Sequence, residues 1–520
     1  MEGGRRDGTR TMVFLVVLVL FMAMMARVAV GGGVDGGGGA GGEDGERFLK
    51  LWTDGGGEAD DDQEDVFKWD EEEDDEEEEE EEGHIMMWGK KGTGRPPACR
   101  NVVNVDTFGA AGDGDADDTE AFANAWKTAC SLDNAVFLVP AGRRYKVGAI
   151  TFMGPCKDRL IIQIQGTIVA PEEPSEWDPR SPRLWLLFSG LAGARIQGGG
   201  VIDGSGSKWW ANSCKINKSN PCKAAPTAVT IDSSRGVRVK GLHVQNAQQM
   251  HLTVYRSKNV RLAGVHIDSP EDSPNTDGIH VAESTSISIQ NCRIGTGDDC
   301  ISIVNASFNI RMKNIVCGPG HGISIGSLGK GGTFAAVENV ALDTARISRA
   351  QNGVRIKTWQ GGSGYVKNVR FSNFVVDDVD HPIIIDQFYC DASAATVPCG
   401  SFSSNSGVEV AGVMYRNISG TSRRAEAIKF ACSDAVPCTG IVLRDIDLRR
   451  SDGDDGEVQT VCNCAVGLDY GRVSPAADCL RSSTCGGAPG GHRGDDDDDR
   501  GNNADAGSTP AAAPVLHTEL

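Results

Sequence analysis

Gly278-Ile279-His280-Val281, Cys300-Ile301-Ser302-Ile303, Gly322-Ile323-Ser324-Ile325 and Gly353-Val354-Arg355-Ile356 repeat one pattern: an aliphatic residue, a polar or charged one, then an aliphatic again. That alternation is the signature of a half-buried strand. Upstream, Ala228-Val229-Thr230-Ile231 and His251-Leu252-Thr253-Val254 have the same form. From Ile231 the steps to Val254, Val281, Ile303 and Ile325 are 23, 27, 22 and 22 residues. Between them lie second strands such as Val237-Arg238-Val239, Val260-Arg261-Leu262 and Ile287-Ser288-Ile289. Self-similarity at a fixed period marks a solenoid. With two or three strands in each coil of about 22 residues and no helix between them, the prediction is all-β, a right-handed parallel β-helix. An antiparallel sandwich would need hairpins, and Asn-Gly or Asp-Gly pairs at two-residue loops are scarce.

One helix is expected ahead of the coils. Asp117-Asp118-Thr119 is a capping sequence for Glu120 to Cys130, where Phe122, Ala125, Trp126 and Ala129 fall on one face. Such a helix would close the open end of the strand stack.

The flanks read differently. Arg5, Arg6 and Arg10 precede the uncharged run Met12 to Ala26, and Ala29-Val30-Gly31 offers a cleavage site, so residues 1–31 read as a secretory signal too short to span a bilayer. Residues 32–95 are Gly-rich and then acidic, ending in the unbroken run Asp70 to Glu82, and are expected to be disordered, as is the tail 486–520. The formal charge of −21 belongs to these flanks: residues 1–95 hold 10 basic and 26 acidic side chains, residues 486–520 hold 2 and 7, and the domain 96–485 has 39 of each. A neutral domain gives no reason to expect a nucleic-acid partner. No later stretch is apolar enough to span a membrane, so none is expected to be involved after signal cleavage.

The 16 cysteines fit an oxidising compartment. Cys130 and Cys156, Cys214 and Cys222, Cys300 and Cys317, Cys390 and Cys399, Cys432 and Cys438, and Cys479 and Cys485 are close neighbours. Short-range bridges fit, although spacing alone does not fix connectivity. Cys462-Asn463-Cys464 lacks a second Cys or His pair at zinc spacing. Asn217, Asn305 and Asn417 head glycosylation sequons.

Four segments set charge on this apolar framework at coil-like intervals: Asn275-Thr276-Asp277-Gly278, Gly297-Asp298-Asp299-Cys300, Gly320-His321-Gly322 and Arg355-Ile356-Lys357. Steps of 21, 23 and 34 residues separate Asp277, Asp298, His321 and Arg355. Equivalent positions on adjacent coils sit one strand spacing apart, roughly 4.8 Å, so these side chains should share one wall. The longer last step is assigned to a loop over Gly326 to Thr333. Asp298 and Asp299 are adjacent and face one cleft only if the backbone bends, for which Gly295-Thr296-Gly297 gives freedom. Glycoside hydrolysis needs one protonated carboxyl and one carboxylate. Crowding three carboxylates should raise the pKa of at least one, and the cations would hold an anionic sugar.

At these segments the chain resembles the polygalacturonases, family 28 glycoside hydrolases that cut pectin. The stretch Cys317 to Gly329 and Pro382-Ile383-Ile384-Ile385-Asp386-Gln387 with Tyr389-Cys390 is similar to the plant members. The resemblance covers about 100–485. It implies an inverting, metal- and cofactor-free hydrolase of α-1,4-galacturonan, secreted to the cell wall and monomeric. By position, it implies Asp298 as general acid, Asp277 and Asp299 activating water, and His321 tuning the acid. Arg355 and Lys357 would bind the substrate carboxylate, with Asn275 and Tyr389 lining the subsite. Inversion calls for a carboxyl separation of roughly 6.5–9.5 Å. His381 and Phe388 depart from the usual plant residues without removing a catalytic group. Rhamnogalacturonan or exo-acting hydrolysis, and an inactive pectin-binding solenoid, are the competing readings. A pectate lyase would need calcium-binding carboxylates and a basic catalyst, which Gly320-His321-Gly322 does not supply.

Overall fold

The computed structural model describes residues 100–390, 407–451, 456–482 and 485. The expected signal segment, the acidic stretch and the tail lie outside them. Among the described residues no helix is long and apolar enough to cross a membrane.

Among the described residues the chain winds into a parallel β-helix, with one ladder of eleven strands and the rest joined in a second sheet of twenty. In the eleven-stranded ladder, α-carbon partners run Phe152, Phe188, Ile231, Val254, Val281, Ile303, Ile325, Ile356, Ile385, Phe430 and Cys462. Ile231 to Ile325 follow the register read from the sequence. All but Cys462 are buried. Each aliphatic in this column removes a side chain from water, worth about 1.5–3 kcal/mol. The site is carried by β1 (Ile279–Ala282), β2 (Ile301–Ile303), β3 (Ile323–Leu328), β4 (Asn352–Trp359) and β5 (His381–Tyr389).

The twenty-stranded sheet contains longer strands than the short segments foreseen. Phe334–Ser348 and Ser363–Val379 run through 15 and 17 residues. They turn corners at single residues of positive φ, Asn339 and Thr344 in the first, Asn368 and Asn373 in the second. Asparagine tolerates that conformation, and its amide can bond to the next coil. Asn339 Nδ2 donates to Asn309 Oδ1 at 3.0 Å, and Asn368 Nδ2 to Asn339 Oδ1 at 3.3 Å. The long step before Arg355 is therefore mostly strand, since Ile323–Leu328 continues past Gly326 and only a short turn precedes Phe334.

The helix α1 (Thr119–Ser131) buries Phe122, Ala125, Trp126 and Ala129, the face expected. The Trp126 ring centroid lies 5.8, 5.1 and 6.4 Å from those of Phe137, Phe152 and Phe188, which closes the first end of the stack. The cap differs in detail. Asp118 accepts from the backbone of Ala111 at 2.6 Å, while Asp117 accepts from Thr119 N at 3.0 Å.

Disulfides join Cys130–Cys156, Cys214–Cys222, Cys300–Cys317 and Cys432–Cys438. Cys390 is also bonded, and its expected partner Cys399 lies outside the described residues. Cys479 pairs with Cys462 rather than with Cys485. Spacing favoured the nearer thiol, but the end strand of the eleven-stranded ladder, Gln459–Asn463, brings Cys462 to the start of the final helical turn, with α-carbons 5.8 Å apart.

Candidate active site

Asp298 stands in the turn between Gly295 and Ile301, fastened to the coils on either side. On one side Gly297 N donates to Thr276 Oγ1 at 3.1 Å; on the other, His321 N donates to Asp298 O at 2.8 Å and Cys300 N to Gly322 O at 2.8 Å. Gly320 and Gly322 are required by this packing. Both have positive φ, and a Cβ would meet Asp298 O at 2.6 Å and Asn352 O at 2.1 Å respectively.

The Asp298 carboxylate meets His321 Nδ1 at 3.0 Å through Oδ1, and Asn275 Nδ2 donates to its Oδ2 at 3.4 Å. Burial alone would raise this carboxyl, but the His321 imidazolium and its hydrogen bond outweigh burial and hold Asp298 below its ordinary value. Burial likewise acts to lower His321, and the charge and hydrogen bond of Asp298 carry it above 6.5. The two therefore share a proton that resides on the imidazole in the free protein.

Asp299 points the other way and is fully buried. Its Oδ1 accepts from Arg355 at 2.9 Å and from Ser324 Oγ at 2.7 Å, and its Oδ2 from Lys357 Nζ at 3.0 Å. Burial is opposed by Lys357 first and Arg355 second, and the result is a carboxylate held well below the usual range. Crowding therefore does not raise Asp298 or Asp299 in the free protein, because the fixed cations prevail over like-charge repulsion. Removing one partner of such a buried cluster costs about 3–5 kcal/mol.

Asp277 is buried on the preceding coil, where its Oδ2 accepts from Ser302 Oγ at 2.6 Å, and Ser302 in turn meets His280 Nδ1 at 2.8 Å. Ser302 and Ser324 were missed as site residues. Their signal was available: His280, Ser302, Ser324 and Arg355 are successive α-carbon partners between the aliphatic positions of β1 to β4. The offset that aligns the core also aligns this polar column.

A cleft of about 450 Å³ opens over these groups, lined by Asn275, Asp298, His321, Arg355, Lys357 and Tyr389 among others. Lys357 Nζ lies 5.3 Å from the Tyr389 ring centroid. Six of the eight expected site residues thus line one cleft, and Asp277 and Asp299 are buried around it. Lys215, Lys330, Gln351 and Trp359 are among the other lining residues, from loops and strand ends that no charge spacing singles out.

The sequence profile of glycosyl hydrolases family 28 matches residues 130–467, more than half of the chain. The chain belongs to glycosyl hydrolases family 28. A probable polygalacturonase of Arabidopsis thaliana is 46% identical over 389 residues, covering 75% of this chain and 86% of its own. Polygalacturonase-2 of Solanum lycopersicum is 47% identical over 357 residues, with coverages of 68% and 77%. Among solved structures, an endo-xylogalacturonan hydrolase from Aspergillus tubingensis superposes with a TM-score of 0.60 at 23% identity, over 72% of this chain and all of that one. A polygalacturonase from Erwinia carotovora gives 0.54 at 18% identity, over 74% and 100%. These two likenesses speak to the fold alone. As a family 28 member the chain is a glycoside hydrolase, and its cleft brings Asp298, paired with His321, beside Arg355 and Lys357.

Proposed function

We propose that this family 28 chain hydrolyses the α-1,4-galacturonosidic bonds of pectic polygalacturonan with inversion, with Asp298 as the general acid. The observation that carries the reading is the Asp298–His321 pair at the cleft surface beside Arg355 and Lys357. A galacturonate entering the cleft adds its own carboxylate and displaces water. Loss of water disfavours the charged pair, so the shared proton moves from His321 toward Asp298 and then onto the leaving oxygen. Arg355 and Lys357 attract the sugar carboxylate while keeping Asp299 ionised. Asp299 and Asp277 are the bases that activate water on the opposite face. Tyr389 and Asn275 line the reacting subsite.

A second cavity of about 310 Å³ adjoins the first at Lys215, Pro274 and Asn275, and Trp209, Trp210 and Lys223 are among its lining. Continuous, cation-bearing space supports a polymer rather than a monosaccharide as substrate.

The proposal extends to the setting: a secreted, monomeric cell-wall enzyme whose catalytic domain is 96–485. The apolar run Met12 to Ala26 and the disulfides support export. Proton NMR of a digest tests the stereochemistry. Inversion predicts that the β-anomer of the new reducing end appears first, and initial α-anomer would reject the mechanism.

A further inference from the structure

Outside the cleft, one cluster of donor atoms has no part in the chemistry above. His243 and His266 are α-carbon partners on adjacent coils, and Asp268 stands two residues after His266, on the same face of its strand. The imidazole rings stack with centroids 4.4 Å apart and planes 13° from parallel. His243 Nε2 is bonded to Asp268 Oδ1, and His266 Nε2 lies 3.9 Å from that same oxygen. One donor atom from each side chain falls within a 4.8 Å group. All three side chains are accessible from solvent.

We propose that His243, His266 and Asp268 form a surface site for a divalent transition metal, zinc or copper in class. Imidazole and carboxylate ligands bind Zn²⁺ at about 2.0–2.2 Å, which for tetrahedral ligation puts donors roughly 3.3–3.6 Å apart. The stacked rings direct their lone pairs side by side, so closing on an ion requires the two imidazoles to tilt toward a common point. Two imidazoles select zinc or copper over calcium or magnesium, which favour oxygen alone. The other such group among the described residues is Asp298, Asp299 and His321, where Arg355 and Lys357 already neutralise Asp299, so it is a poorer cation site. Arg293 follows His266 in the ladder and opposes a bound cation.

The site would brace the catalytic coil. Ser269, next to Asp268, meets His251 Nε2 at 2.7 Å, and His251 Nδ1 meets the backbone oxygen of Asp277 at 3.0 Å. Pinning two coils at Asp268 therefore steadies the turn that ends in Asp277.

The full chain, stripped with chelator, is titrated calorimetrically with Zn²⁺ at fixed pH, beside His243→Gln/His266→Gln. One site in the micromolar range is expected, weakened more than about 100-fold in the double variant. Weak binding to the acidic segment should be the same in both. Arg293→Ala, which keeps all three ligands, should bind more tightly. Copper-loaded protein should show electron-spin coupling to two nitrogens. Equal Zn²⁺ affinity in wild type and double variant, or no nitrogen coupling in the copper-loaded wild type, would overturn the assignment.

Discussion

His321 raises Asp298's acidity and keeps a proton available to it. Because Asp298 is depressed and His321 raised, the charged pair exists between the two pKa values. Its contribution to stability is lost as pH falls through the Asp298 value and as pH rises through the His321 value. The pair's last proton leaves only above 6.5, so kcat/KM should hold to that range and then decline. In His321→Ala the proton must sit on Asp298 alone, beside Lys357. The alkaline limb of the kcat/KM profile should then move down into the carboxylate range. An unmoved limb would remove His321 from the proton's path. The motifs containing both residues were legible in the sequence, but the direction of the shift was not. It depends on His321 Nδ1 closing on Asp298 Oδ1 from the next coil, and residue spacing does not encode which way a side chain turns.

Strands β1 to β4 carry the site because each inserts one aliphatic residue on either side of a polar one. The core column was legible to the residue, from Ile231 through Ile325, because burial makes a one-residue slip costly along the whole strand. Ile325→Ala should cost about 2–5 kcal/mol in chemical denaturation. It should also reduce kcat through its neighbour Ser324, which donates to Asp299. A loss below about 1 kcal/mol would mean that the column is not the stabilising core. Less was legible in the corners. Asparagine ladders and positive φ join strands that alternation alone reads as separate. The Cys462–Cys479 bridge likewise depends on how the last coil closes, not on sequence distance.

At the scale of the whole chain, a neutral domain with a cationic cleft lining is preceded by thirteen consecutive acidic residues, Asp70 to Glu82. That run lies outside the described residues, and a solvated linker is what its sequence leads one to expect. Occupation of the cleft before its removal is the alternative, and it predicts a gain in low-salt activity on deleting residues 32–95 that shrinks at high salt. No gain on deletion rejects it. The central claim is more direct: this family 28 fold cuts polygalacturonate, using the Asp298 proton. Release of reducing ends from polygalacturonate by wild type and Asp298→Asn, with thermal unfolding measured on both, tests it. An active wild type is expected, with a loss of about 10²-fold or more in a variant that melts normally. An inert wild type, or an Asp298→Asn variant with undiminished activity, would contradict it.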